Sequence, residues 1–190
     1  MSTFVCDLDG VLLNTNLAFC VAWGEILGVK LQPEDFVHWN HYLALGVDPG
    51  LGEKFWEQVW ELEVYPYPGA TAFVDKVKQL GYNFVILTSR TMEAAKKAMY
   101  RDIPKVSLQI DDIIAINKQK GDMKSAYINN ISDAAAFLDD HTKNAVDVKM
   151  NCKHVSSVML FDRPWNKSSD ICGYVRITSY QEALAQLSQE

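Results

Sequence analysis

The chain has 190 residues, of which 48% are hydrophobic and 22% charged, and carries a formal net charge of -6 with a pI near 5.2. That length fills one core with room for a modest inserted subdomain, but not two full domains. The composition is that of a soluble globular protein, and the acidic balance excludes a chain whose task is to coat a nucleic-acid polymer with Lys and Arg.

In chain order, Thr3 to Cys6 is a short apolar run that predicts a strand. No basic leader precedes it and Asp7 stops it, so it reads as neither a signal peptide nor a membrane span, and a cytoplasmic protein is expected. From Asn14 to Tyr65 no strand-like run occurs; Phe19, Trp23, Phe36, Trp39, Tyr42, Phe55, Trp56 and Trp60 stand among helical spacings. This predicts a helical cap over residues 15–65, closed by Tyr65-Pro66-Tyr67-Pro68-Gly69, where the prolines forbid helix. His38 and His41 form an HxxH spacing that lacks the glutamate of a metalloprotease helix, so zinc is not expected there.

Further on, a helix is predicted up to Leu80, a strand from Tyr82 to Leu87, a helix from Thr91 to Tyr100 and a short strand near Ile113 to Ile116. These are followed by a helix from Met123 to Ile131, a strand from Ala134 to Leu138, a helix from about Thr142 and a strand from Val155 to Phe161. A short strand at Tyr174 to Ile177 and a helix at Ser179 to Leu187 complete the chain. Alternating strands and helices predict an α/β, Rossmann-like parallel sheet built from residues 1–14 and 66–190, with the cap inserted after the first strand. Cys6, Cys20, Cys152 and Cys172 are scattered without a CxxC pair, as reduced packing thiols would be.

Open parallel sheets bind ligands at the carboxyl ends of their strands. Those ends here are Asp7-Leu8-Asp9-Gly10, Thr88-Ser89-Arg90, Asp139-Asp140 and Asp162-Arg163-Pro164-Trp165-Asn166. An Asp-Gly turn after a strand is common by itself. With LTSR and FLDD following in order, the set resembles the four motifs of the haloacid dehalogenase superfamily, from Phe4 to about Asn166.

The resemblance implies an Mg2+-dependent phosphatase in which Asp7 attacks phosphorus and Asp9 serves as general acid and base. Carboxylates suit both tasks once a cation offsets their repulsion from the phosphate. It implies a metal held by Asp7, the backbone carbonyl of Asp9 and Asp140, with Asp139 behind, and a phosphoryl group met by Thr88 and the Ser89 N–H. The bland alternatives are a turn at Asp139-Asp140 and helix capping by Thr88 or Ser89. Three lysines, Lys118, Lys120 and Lys124, precede the Asp139 strand. Lys124 is favoured as the motif-three lysine because it opens the apolar pattern Ala126, Tyr127, Ile128, Ile131; Lys120 beside Gly121 is the alternative, and a solvated surface lysine is the default for each.

Within the superfamily the chain resembles the deoxyribonucleotidases. The resemblance rests on Trp56-Glu57 ahead of Pro66-Tyr67-Pro68-Gly69-Ala70, on Phe36-Val37-His38-Trp39, and on the segment Phe161 to Asn166. It implies a nucleoside monophosphate substrate, deoxy ahead of ribo, with Phe36, Trp39 and Trp56 facing the base. Aromatics at helical spacing are also what a small cap needs for its own core. The chain departs from that family at Thr15 or Asn16, where the family has an aromatic side chain. Alternatives are a phosphatase of another small metabolite, an enzyme of polynucleotide ends, which needs a basic groove, or a non-enzymatic interaction protein, against which Asp7 and Asp9 both speak. Neither a membrane nor a nucleic-acid polymer is an expected partner; the oligomeric state stays open, a dimer among the options.

Overall fold

The computed structural model describes residues 1–39, 42, 45–116, 123–167 and 173–188, with the backbone alone at 51, 53, 54 and 56–58. Its centre is a six-stranded, all-parallel sheet in the order β3-β2-β1-β4-β5-β6. The strands are β1 (Thr3–Cys6), β2 (Asn83–Thr88), β3 (Asp112–Ala115), β4 (Ala134–Asp139), β5 (Ser157–Phe161) and β6 (Val175–Ile177). The α/β parallel architecture expected from the alternation of elements is therefore present.

Because side chains alternate across a strand, β1 divides the interior in two. Phe4 and Cys6 join Phe84, Ile86, Ala136 and Leu138 on one face, covered by the helices Ala70–Gln79, Met92–Asp102 and Tyr180–Leu187. Val5, Leu87 and Phe137 lie on the other, covered by Lys124–Ile128 and Thr142–Asn151. Full burial of a side chain such as Phe137 stabilises by about 1.5–3 kcal/mol, which is why strands covered on both faces read as continuous apolar runs.

The helices begin where the chain supplies acceptors for the first free N–H groups. Thr91 accepts from the Ala94 N–H and Ser179 from the Glu182 N–H. The strand expected from Val155 starts two residues later, because the Val155 N–H is turned back to the Cys152 carbonyl. The helix expected to reach Ile131 stops at Ile128 and passes through tight turns at Asn130 and Ile131. Pro104–Ser107 forms one further helical turn, with Pro104 at its first position. Cys6, Cys20 and Cys152 are buried free thiols; Cys172, like His41, lies outside the described residues.

Between β1 and Ala70–Gln79 the chain forms the helices Thr15–Leu27 and Pro49–Glu61 and a 3-10 turn at Pro33–Asp35. They close on a third apolar cluster of Phe19, Cys20, Trp23, Phe36, Phe55 and Val59. The entering and leaving strands lie side by side: Leu13 bridges Pro66, the Asn14 N–H donates to the Tyr65 carbonyl and the Tyr67 N–H to the Leu12 carbonyl. Among the described residues no helix is long and apolar enough to cross a membrane.

Candidate active site

Parallel register brings the strand ends together. Cys6 is level with Ile86 on one side and Leu138 on the other, so Asp7, Thr88 and Asp139-Asp140 emerge along one edge, on either side of the point where strand order reverses. The Asp7 N–H donates to the Leu138 carbonyl at 2.9 Å, extending the ladder one residue past β1. The chain then folds back, with the N–H groups of Leu12 and Leu13 both donating to the Leu8 carbonyl. Gly10 sits at φ 73°, and a Cβ there would fall 2.0 Å from Asp140 Oδ2. Only glycine permits both the left-handed turn and that approach.

Asp7 is 7% exposed. Its Oδ1 accepts from the Leu8 N–H at 2.8 Å and faces Lys124 Nζ at 3.0 Å. Lys124 is itself buried and donates to Asp139 Oδ2 at 2.6 Å. Among the described residues Lys124 is thus a lysine at the acidic centre; Lys118 and Lys120 lie outside the described residues. Burial pushes the Asp7 carboxyl up to about 7, against the pull of Lys124 and with the push of Asp139 and Asp9. Burial works to neutralise Lys124, yet the two carboxylates outweigh it and hold the ammonium above its ordinary range.

The two members of the acidic pair differ in their partners. Asp139 Oδ1 accepts from the His141 N–H at 2.7 Å, and both its oxygens receive the Asn144 amide. Asp140 Oδ2 accepts from Trp165 Nε1 at 2.9 Å, whereas Asp140 Oδ1 is buried with no hydrogen-bond partner among the described residues. Burial, then Asp139 and Asp7, raise the Asp140 carboxyl well above the carboxylate range. Oxygen atoms of Asp7, Asp139 and Asp140 lie within 4.8 Å of one another. Three converging acids, one with an orphaned oxygen, fit a hard divalent cation such as Mg2+, for which carboxylate oxygens are the preferred donors.

The segment after β5 closes this side. Asn166 donates to the Asp140 and Phe161 carbonyls, and Arg163 Nε donates to the Gly10 carbonyl at 2.7 Å. The Arg163 guanidinium lies between the Tyr67 and Phe161 rings, 4.0 and 3.9 Å from their centroids. Trp165 and Asn166 were visible in sequence only as part of a resembling segment. Their grip on Asp140 depends on a loop whose course no local pattern specifies.

On the opposite side, Thr88 is fully buried at the end of β2, its Oγ1 accepting from the Arg90 N–H; Ser89 is half-buried. Thr91 caps the next helix, so neither Thr88 nor Ser89 is used for that. Arg90 is fully buried and clasps Asp9 with two nitrogens, while Thr15 Oγ1 donates to the same carboxylate. Sequence reasoning placed Arg90 at a strand end without assigning it a role. An arginine at a strand end, with acids expected at the neighbouring ends, was the one hint in the sequence, and it does not say which acid the arginine meets.

The expected base-facing aromatics separate. Phe36 is fully buried in the helical cluster and, in this conformation, has no surface to offer a ligand. The Trp56 side chain lies outside the described residues. Trp39 stands 4.0 Å, centroid to centroid, from the His141 ring. With His141, Thr142, Lys143, Val146 and Trp165 it lines a cavity of about 400 Å³ beside Asp140.

No protein-family model matches the sequence, and no curated protein matches it. Solved structures do. A predicted phosphatase from Clostridium acetobutylicum superposes with a TM-score of 0.70 at 14% identity over 100% of both chains. A HAD family hydrolase from Deinococcus radiodurans R1, with bound phosphate and sodium, gives 0.69 at 16% identity over 100% of this chain and 96% of that one. The L-2-haloacid dehalogenase from Xanthobacter autotrophicus, with chloropropionic acid covalently bound, gives 0.65 at 10% identity over 99% and 98%. By architecture, then, this chain has the fold of the haloacid dehalogenase superfamily hydrolases.

Proposed function

We propose that the protein is a metal-dependent phosphomonoesterase of small phosphorylated metabolites, with nucleoside monophosphates as its preferred substrates and residues 15–65 as the cap that admits them. The observation that carries this reading is the buried group of Asp7, Lys124, Asp139 and Asp140, three acids and one lysine converging beside an oxygen of Asp140 that has no partner among the described residues. Asp7, Asp140 and the Asp9 backbone carbonyl hold Mg2+, with Asp139 behind them fixing Lys124. The bound cation supplies positive charge that lets an anionic phosphate approach a carboxylate.

Asp7 attacks phosphorus, forming the Asp7 carboxylate–phosphorus bond as the ester P–O bond breaks; Asp9 delivers a proton to the departing oxygen. Water then attacks the phosphorylated Asp7, Asp9 takes the water's proton, and inorganic phosphate and free Asp7 are released. Lys124 steadies the negative charge on Asp7, and Thr88 with the Ser89 N–H receives the phosphoryl oxygens. The cavity beside Asp140 supports the nucleotide reading, because the Trp39, His141 and Trp165 rings give a flat base surfaces to stack on. Trp39, already expected beside the base, keeps that role in this reading, Trp165 joins it and Phe36 leaves it.

The test is phosphate release from a panel of nucleoside monophosphates, sugar phosphates and an aryl phosphate, with Mg2+ and with chelator. Mg2+-dependent turnover led by nucleotides is expected. A sugar phosphate at the head of the panel removes the nucleotidase reading alone; full activity in chelator removes the metal-dependent one.

A further inference from the structure

The face of helix Thr15–Leu27 that carries Phe19, Cys20 and Trp23 into the helical cluster ends, one turn earlier, in Thr15 and Asn16. There it reaches the catalytic residues. Asp9, Gly10, Asn16, Phe19, Asp140 and Trp165 line a narrow cleft of about 20 Å³, which shares Trp39, Asp140 and Trp165 with the 400 Å³ cavity. Thr15 is used by Asp9. Asn16 is not: it is 4% exposed, and its side-chain nitrogen is buried with no hydrogen-bond partner among the described residues.

A buried donor left unpaired is costly, and no hydrogen bond within the described residues uses the amide nitrogen here. Such unpaired groups gather where a ligand completes them. We infer that Asn16 is a specificity-determining residue whose amide donates a hydrogen bond to an oxygen of the leaving group close to the phosphate ester. Sugar hydroxyl and ring oxygens are of that class. The wall near the sugar therefore contains a donor, and oxygen-bearing sugar phosphates, nucleotides included, are favoured over aryl or alkyl phosphates. This rests on the phosphatase reading of the site.

The experiment compares wild type with Asn16→Leu, nearly isosteric and without a donor. It measures kcat/KM for a ribonucleoside 5′-monophosphate and for p-nitrophenyl phosphate, whose leaving group offers no such oxygen, and the melting temperature without ligand. The ratio of the two kcat/KM values is expected to fall about tenfold or more in the variant, the loss of one substrate hydrogen bond. The ligand-free melting temperature is expected to hold or rise, because an orphaned donor has been removed. Equal losses on both substrates, an unmoved ratio, or a melting temperature several degrees lower in a folded protein overturns the inference. If Asn16→Leu does not fold, Asn16→Asp, which replaces the donor by an acceptor of the same size, must show the same fall in ratio. A wild-type protein that hydrolyses both substrates with the ratio unmoved in the variant defeats only the role of Asn16; one that hydrolyses neither defeats the phosphatase reading and this inference together.

Discussion

Arg90 and Asp9, 81 residues apart in sequence, meet fork to fork, with Nε 2.9 Å from Oδ2 and Nη2 2.6 Å from Oδ1. Burial disfavours the charge on Arg90, but Asp9 outweighs it and holds the guanidinium above its ordinary pKa. A planar fork matched to a carboxylate fixes orientation as well as charge. Asp9→Asn should lower turnover about a hundredfold or more on alkyl phosphates and less on aryl phosphates with good leaving groups, which need little proton donation. Rates across a series of substituted aryl phosphates check this; a uniform loss removes Asp9 from the acid role. Arg90→Gln strands a largely buried carboxylate and should lower the melting temperature by roughly 5 to 10 °C.

Asp7→Asn keeps the shape of the side chain and removes its nucleophilicity. Lys124 has a second partner in Asp139, 2.6 Å away, so the fold should survive the substitution. Phosphate release should drop by about a thousandfold or more, with a melting curve close to that of wild type. Near-normal turnover by the folded variant would contradict the assignment of the nucleophile.

The acidic pair should divide cleanly between stability and metal. Asp139→Asn deprives the buried Lys124 of its shortest contact and should lower the melting temperature on the order of 10 °C. Asp140→Asn loses the side chain whose Oδ1 is open to a cation and should mainly raise the Mg2+ concentration needed for half-maximal activity, about tenfold or more. Magnesium titrations and thermal melts of the two variants side by side decide; the reverse ranking exchanges their roles.

With Asp140, also raised by burial, acting in the same direction, stability of the metal-free protein should depend on pH through Asp7. Its carboxyl, raised by burial to about 7 when folded, sits near 3.9 in an unfolded chain. Between those values the folded state binds more protons, so stability falls as pH rises. Burial lowers His141, which opposes the trend below about pH 6.5, and the exposed Asp111 and Glu182, held low by Lys78 and the Phe84 N–H and by Thr178 respectively, titrate below the window. In chelator the melting temperature should therefore drop by a few degrees from pH 6.5 to pH 8. Excess Mg2+ should close most of that gap, since the cation takes the place of the proton. A metal-free melting temperature that rises over this interval would contradict the account.

Much of this was legible in sequence because strand ends carry their meaning locally. Four apolar runs, each followed by Asp, Thr or a paired Asp, specify a parallel sheet and one ligand-binding edge; register then brings Asp7, Thr88 and Asp139-Asp140 together. Lys124 could be favoured over its neighbours only by the apolar pattern behind it; it is buried between Asp7 and Asp139, while Lys118 and Lys120 lie outside the described residues. Contacts between distant loops were not legible. The clasp of Arg90 on Asp9, the bond from Trp165 to Asp140 and the separation of Phe36 from Trp39, of which Trp39 alone lines the cavity, each depend on how segments cross in space. Helical spacing shows that an aromatic is on a face and leaves open which neighbour that face meets.

The pairing of Leu13 with Pro66 joins the two ends of the helical insertion at one seam. Paired strands run roughly 5 Å apart, a gap that a two-residue turn spans, and beyond the seam the insertion reaches the core through Thr15 on Asp9, Trp39 on His141 and the Glu61 and Leu62 carbonyls on Arg101. On the function proposed above, replacing the insert at those two points should change what reaches the site and leave Asp7 in place. Thr15 and Asn16 travel with the graft, so the partner of Asp9 and the free donor beside it are exchanged together with whatever the new insert admits.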